Sequence, residues 1–129
     1  MSDGLAITDQ IIQGIIGVHQ ALGPGFVERV YHNSLIIELE SRGLKLETEH
    51  EIVVYYQGKP VGKHRLDLLV EGRVIVELKC VEALSKSHYA QIRSYLRATD
   101  LRTGILVNFA TDKADFRRVE NRTPSGPSP

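Results

Sequence analysis

Two strand-like runs carry charge where apolar residues are expected. Asp67 interrupts Leu66-Asp67-Leu68-Leu69-Val70, and Glu77 and Lys79 close Val74-Ile75-Val76-Glu77-Leu78-Lys79. A charge inside such a run costs free energy unless it is paired or bound to metal. Two carboxylates and a lysine on adjacent strands could hold a hard divalent cation beside a reacting water. Mg2+ (or Mn2+) prefers octahedral oxygen ligands and keeps several waters. Asp67, Glu77 and the backbone carbonyl of Leu78 would provide three positions, with a substrate phosphate and water completing the shell. Lys79, two residues after Glu77, points the same way and could orient the attacking water or stabilise charge developing at phosphorus. The competing reading is a Lys–Glu–Asp ion-pair network at a sheet edge. Spacing alone weighs the two equally, because a D…ExK pattern is common by chance.

Whether Asp67 and Glu77 can meet depends on the hairpin around Glu71-Gly72. A two-residue turn would pair Asp67 with Val76 and send Glu77 to the opposite face. A three-residue loop or a bulge changes that parity by one. Leu66, Leu68 and Val70 would then share an apolar face with Val74, Val76 and Leu78, while Asp67, Glu77 and Lys79 share the other. Burial of the apolar six and convergence of the polar three therefore require the same register. It predicts an irregular turn with Gly72 at positive φ.

The elements that must position these residues follow from periodicity. Ile7, Ile11, Ile15, Val18 and Leu22 form one stripe on a helix over residues 5–22, stopped by Gly23-Pro24-Gly25. A second helix, about Val27 to Arg42, carries Val27, Val30, Tyr31, Leu35 and Leu39, with Gly43 suited to its C-terminal cap. From Leu44 the period becomes two, through Leu46, Ile52, Val54 and Tyr56, with a bend or bulge at Thr48-Glu49-His50. Gln57-Gly58-Lys59-Pro60 reads as a turn, followed by strands at about 61–70 and 73–80. Ser85 could cap a third helix, about 86–98, with Ala90, Ile92, Tyr95 and Leu96 facing inward. The apolar strand Gly104 to Phe109 follows that helix and so can join the sheet in parallel. Residues 123–129, Thr-Pro-Ser-Gly-Pro-Ser-Pro, read as a disordered tail. The expected architecture is an α/β sandwich with a mixed sheet and helices on its faces, in a single domain over residues 1–122.

Other polar residues carry weaker signals. Gln91 and Tyr95 share one face of the third helix, and Gln91 reaches the carboxylates if that helix packs beside their strand. Glu28, in the first turn of the second helix, is favourable there through the helix dipole alone. His19 reads as a hydrogen-bonded core histidine and Cys80 as a small core residue without an activating base. Arg93 and Arg97 could touch phosphates, although such a pair is more often a solvated face.

Composition narrows the options. One cysteine excludes an internal disulfide and a cysteine-rich zinc site. No apolar run spans a membrane and no signal-peptide pattern opens the chain, so a cytoplasmic protein is expected. Net charge is zero; residues 1–80 hold 8 basic and 11 acidic side chains and residues 81–129 hold 8 and 5. Nucleic-acid binders usually carry more positive charge. A homodimer, a helper subunit or a local basic patch would have to strengthen a DNA contact.

The run His19-Gln20-Ala21-Leu22-Gly23-Pro24-Gly25-Phe26-Val27-Glu28-Arg29-Val30-Tyr31 resembles the signature of the GxxExxY proteins, with Gly25, Glu28 and Tyr31 at the named positions. The resemblance continues through Asp67, Val76-Glu77-Leu78-Lys79, Gln91 to Tyr95, and Leu106-Val107-Asn108-Phe109. That family is placed in the PD-(D/E)XK nuclease superfamily, whose restriction-endonuclease-like core of helix, three strands, helix and strand matches the order here after one extra N-terminal helix. Leu66 stands where the superfamily name has proline.

The resemblance implies that Asp67 and Glu77 are the metal carboxylates and Lys79 the catalytic lysine. It implies that Glu28 is an acid brought to the site by the core's first helix, and that Gln91 and Tyr95 form a QxxxY element. Tyr31 and Arg93 join Gln91 and Tyr95 as expected substrate contacts. The expected activity is Mg2+- or Mn2+-dependent hydrolysis of phosphodiesters, with DNA as the expected polymer. The alternative is a catalytically silent nuclease-like module that binds nucleic acid or a protein partner.

Overall fold

The computed structural model describes residues 4–121. The chain runs α1 (Gly4–Leu22), α2 (Glu28–Ser41), β1 (Leu46–Tyr56), β2 (Lys59–Val70), β3 (Val74–Lys79), α3 (Lys86–Thr99), β4 (Thr103–Asn108) and β5 (Asp115–Glu120). The five strands make one sheet in the order β1-β2-β3-β4-β5. β3 and β4 are parallel across the α3 crossover, as a strand following a helix allows, and the other neighbours are antiparallel. Residues 123–129, expected as a tail, lie outside the described residues. Among the described residues no helix is long and apolar enough to cross a membrane.

The helical stripes decide the layering. Ile7, Ile11, Ile15 and Val18 of α1, with Tyr31, Leu35 and Leu39 of α2, cover the sheet face formed by Leu68, Val70, Val74, Val76, Leu78, Ile105, Val107 and Phe109. Ile92, Tyr95 and Leu96 of α3 cover the other face, against Leu69, Ile75, Leu106 and Val119. β3 is thus covered on both sides, which is why its sequence is almost continuously apolar. Each large aliphatic side chain buried there contributes about 1.5–3 kcal/mol. Glu77 and Lys79 are the charged exceptions in that strand; Glu77 is itself buried and Lys79, at its end, is half-buried. Three side chains expected to face inward do not: Val27 sits exposed at the α2 N-cap, Tyr56 is 67% exposed at the end of β1, where the ribbon has no helix over it, and Ala90 lies on the outer side of α3.

The hairpin between β2 and β3 is the irregular one that the register demands. Val70 pairs with Val74, leaving Glu71, Gly72 and Arg73 in the connection. Arg73 N–H donates to the Val70 carbonyl at 3.0 Å. Glu71 and Gly72 both have positive φ, 55° and 66°. Glycine adopts this conformation without strain. Glu71 is held in it by Lys45, whose carbonyl accepts the Glu71 N–H at 2.8 Å and whose N–H donates to the Glu71 carboxylate at 2.7 Å.

Five of the six apolar residues expected on one face do share it. Leu66 departs and packs on the α3 side with Ile52, Leu69 and Ile75. The cause lies opposite Asp67. The β1–β2 ladder pairs Thr48 with Leu68 and His50 with Leu66 but skips the step between them, where Glu49 takes φ 50°. The ribbon turns over at this break, in the segment where a bend was expected, and even-numbered residues change faces across it.

β5 was not expected from the sequence. Its run Asp115-Phe116-Arg117-Arg118-Val119-Glu120 lacks apolar alternation, because an edge strand needs only a few inward side chains and the charges stay in solvent.

Candidate active site

One register step beyond Leu68 and Val76, Asp67 lies directly across from Glu77. At that step side chains replace the backbone ladder. Asp67 N–H donates to Glu77 Oε2 at 2.9 Å, and Leu78 N–H donates to Asp67 Oδ2 at 2.8 Å. The Asp67 carbonyl accepts from His32 Nε2 at 3.1 Å, so that nitrogen carries the proton. The strands therefore part at the carboxylates without leaving these backbone groups unbonded. The N–H and carbonyl of one strand residue point to the same side, so the Leu78 carbonyl faces Asp67. The Lys79 carbonyl turns the other way and accepts from Phe109 N–H at 3.0 Å.

Lys79 is half-buried, and its Nζ donates to Gln91 Oε1 on α3 at 3.1 Å. This contact ties Gln91 to Lys79, whose charge acts on both carboxylates. Glu28 stands in the first turn of α2, close enough for its charge to act on both Asp67 and Glu77. Tyr95 borders the same carboxylates but is only 5% exposed, with its ring 5.3 Å from that of His64.

Two expected substrate contacts fall elsewhere. Arg93 is exposed two residues beyond Gln91, which on a helix turns it to nearly the opposite side. Tyr31 has no exposed surface, because its ring stacks on Phe109 at 4.7 Å. Its hydroxyl donates to the Gly23 carbonyl at 2.5 Å and accepts from Phe26 N–H at 3.2 Å. The Gly-x-x-Glu-x-x-Tyr spacing thus has a physical basis. Gly25, at φ 117°, makes the turn, Tyr31 pins it from the core, and Glu28 between them starts the helix beside Asp67. Tyr31→Phe is expected to lower stability by about 1 kcal/mol, read as a fall in Tm of a few degrees.

His32 was not singled out in the sequence. The available signal was its position four residues after Glu28, on the same helical face. It is buried and holds the Asp67 backbone, which makes it a positioning residue. Asn108 plays a comparable part behind Lys79. It is fully buried, its Oδ1 accepts from the N–H groups of Val81 and Ala110, and its Nδ2 donates to the Val81 carbonyl. His19 is the satisfied core histidine expected, with Nε2 2.8 Å from the Thr111 carbonyl. Cys80 is half-buried against the core, its thiol pushed up by burial and then by Glu28.

The electrostatics are those of crowded acids. Glu77 is pushed up to about 8, first by burial and then by the charge of Asp67, with Glu28 adding; the Asp67 N–H bond and Lys79 oppose this. Asp67 is raised by burial, against the Leu78 N–H bond, His32, Lys79 and Arg29. Glu28 is raised by burial and then by Asp67. Burial, more than mutual repulsion, disfavours the charged carboxylates, a cost that a bound cation would offset.

The donor set fits a hard divalent ion. Each carboxylate uses one oxygen on a backbone N–H and retains another, and the Leu78 carbonyl lies on the same side. Among the described residues no three His, Cys, Asp or Glu side chains form a complete cage. Mg2+ is commonly held by one or two carboxylates with waters and substrate phosphate. A separate cavity of about 500 Å3, lined by His19, Gln20, Pro24, Asp112 and Phe116 among others, includes none of these carboxylates.

A five-strand mixed sheet with helices on both faces, here with opposed Asp and Glu and a Lys two residues on, is consistent with a nuclease-like fold. A sequence model of the PD-(D/E)XK nuclease superfamily matches residues 5–119, and the chain belongs to that superfamily. Nucleases of this kind generally use divalent metals, typically Mg2+. The crystal structure of the protein SSO0001 is similar in fold, with 20% identity and a TM-score of 0.56 over 88% of this chain. The chain spans 65% of the length of that protein. No curated protein sequence matches the chain.

Proposed function

We propose that the protein is a divalent-metal-dependent nuclease that hydrolyses phosphodiester bonds in DNA. The observation that carries this reading is the opposition of Asp67 and Glu77 across parted strands, each carboxylate tied to backbone by one oxygen only. Asp67, Glu77 and the Leu78 carbonyl would hold Mg2+ or Mn2+. When bound, such an ion supplies Lewis acidity toward a phosphoryl oxygen and lowers the pKa of water.

The remaining work falls to the chain. The Lys79 ammonium, held by Gln91, places a hydrogen-bond donor and a positive charge beside the position of the scissile phosphate. Glu28 offers a carboxylate at the mouth of the site that can accept a proton from water. Gln91 positions Lys79, and His32 positions Asp67. Within the superfamily, the clasp of Tyr31 on Gly23 supports assignment to the GxxExxY proteins, since it gives Gly25, Glu28 and Tyr31 of that signature distinct structural roles here.

Lys79→Met tests the role of the ammonium apart from metal binding. Cleavage of plasmid and of labelled DNA is expected to fall about 100-fold or more, while Mn2+ affinity by calorimetry is retained. Unchanged cleavage contradicts the role assigned to Lys79. The zero net charge favours a second reading, a silent module that binds nucleic acid or protein. Folded protein that binds Mn2+ and DNA yet cuts neither DNA nor RNA would establish it.

A further inference from the structure

β1 and β2 extend well past the rest of the sheet. β3 pairs with β2 only from Leu68 to Val70, whereas β1 pairs with it out to Tyr56 and Lys59. Residues 59–65 of β2 are all exposed. From Leu66 to Lys59 this two-stranded arm reaches roughly 23 Å at the usual rise per residue. Its root is Asp67 itself.

The composition of the arm departs from that of the chain. Residues 52–65 hold Lys59, Lys63, Arg65 and His64 and no acidic residue, in a protein whose net charge is zero. The acids at the root are internally occupied: Glu47 by His50 at 2.9 Å, Glu49 by Arg29 at 3.3 Å, and Glu51 by Lys63 at 3.7 Å. All three pairs are exposed on both sides and hold their partners weakly, Lys63 among them. Near the tip, Tyr55 and Tyr56 are 64% and 67% exposed. The ladder shifts register between Val54 and Tyr55, so the tip twists relative to the root.

We propose that the β1–β2 arm is a DNA-docking element that lies along the duplex beside the phosphate faced by Asp67 and Glu77. The assignment of that phosphate rests on the nuclease reading; the docking itself rests on the arm. A two-stranded ribbon fits the major groove of B-form DNA. The arm's reach corresponds to about seven base pairs, and its cations supply the charge that the rest of the chain lacks. Edge-to-edge pairing of two arms through β2 is disfavoured, because it would bring Lys59, Lys63 and Arg65 of both copies together. The arm therefore meets the need for a local basic patch without a helper subunit.

The test compares Lys59→Ala/Lys63→Ala/Arg65→Ala with its parent, both in an Asp67→Asn background so that binding is read without cleavage. The probe is a fluorescein-labelled duplex of about 30 base pairs, roughly three helical turns, followed by anisotropy between about 50 and 200 mM salt. The parent is expected to bind the duplex. The triple variant should bind at least about tenfold more weakly, with a salt slope shallower by about three units, one per lost phosphate contact. The three side chains are exposed, so the melting temperature should be unchanged.

Equal affinity and slope in the two proteins would overturn the proposal. So would a parent that binds no duplex, a preference for single-stranded DNA of equal length, or a change in dimerisation by light scattering in place of a change in DNA affinity. Failure of the nuclease reading appears separately, as absent cleavage by the wild-type protein with Mn2+.

Discussion

Asp67→Asn is expected to reduce DNA cleavage by about 1,000-fold or more and to abolish measurable Mn2+ binding, while the protein stays folded. Asparagine keeps the shape of the side chain, and its carbonyl oxygen can still accept the Leu78 N–H that Asp67 Oδ2 accepts now. The parting of β2 from β3 is therefore preserved. What disappears is one negative charge and one anionic metal donor, in a site with no complete cage to compensate. A loss of this size corresponds to about 4 kcal/mol of transition-state stabilisation. The substitution also relieves repulsion on Glu77 and Glu28, both of which are raised in part by Asp67. Without metal, the variant should be at least as stable as the wild type near pH 8. Cleavage within tenfold of wild type, or unchanged Mn2+ affinity, would reduce the cluster to a structural ion-pair network.

The second large effect is on stability. Glu77 has an ordinary value of 4.5 and stands at about 8 in the folded, metal-free chain. Between these values the folded state keeps a proton that the unfolded state has released. Stability must then be highest at or below the ordinary value and must fall as pH rises toward about 8. Asp67 is raised as well and acts in the same direction. The expected loss is on the order of 3 kcal/mol, measured by urea denaturation in EDTA at about pH 5 and about pH 8. Mn2+ at the higher pH should restore stability, because the ion binds the deprotonated carboxylates. Glu77→Gln should flatten the slope. A wild-type profile that does not fall over this range, or one that Glu77→Gln leaves unaltered, would contradict the electrostatic description.

Much of this site was legible in the chain because one constraint served two ends. The parity that buries Leu68, Val70, Val74, Val76 and Leu78 is the parity that brings Asp67 and Glu77 together, and the turn at Gly72 follows from it. Helix stripes were readable from periodicity, since a covered face leaves a repeating apolar signal, and the parallel β4 from a continuous apolar run that follows a helix. Leu66 was not, since the ribbon turns over at Glu49 and Asp67, and no alternation rule survives a break in its own ladder.

β5 escaped because its charges lie in solvent along an edge. Tyr31 was read both as part of the α2 apolar stripe and as a substrate contact, and its burial fits the first. Its hydroxyl is instead bonded to the turn that delivers Glu28. His32 went unnoticed because it acts on the backbone of Asp67, and such a bond leaves no spacing pattern in sequence.

The most direct measurement of the central claim is anomalous diffraction from crystals soaked in Mn2+. A single anomalous peak between the carboxylates of Asp67 and Glu77, on the side faced by the Leu78 carbonyl, is the predicted result. Crystals with no peak there, or with Mn2+ bound only at residues remote from Asp67 and Glu77, would contradict it.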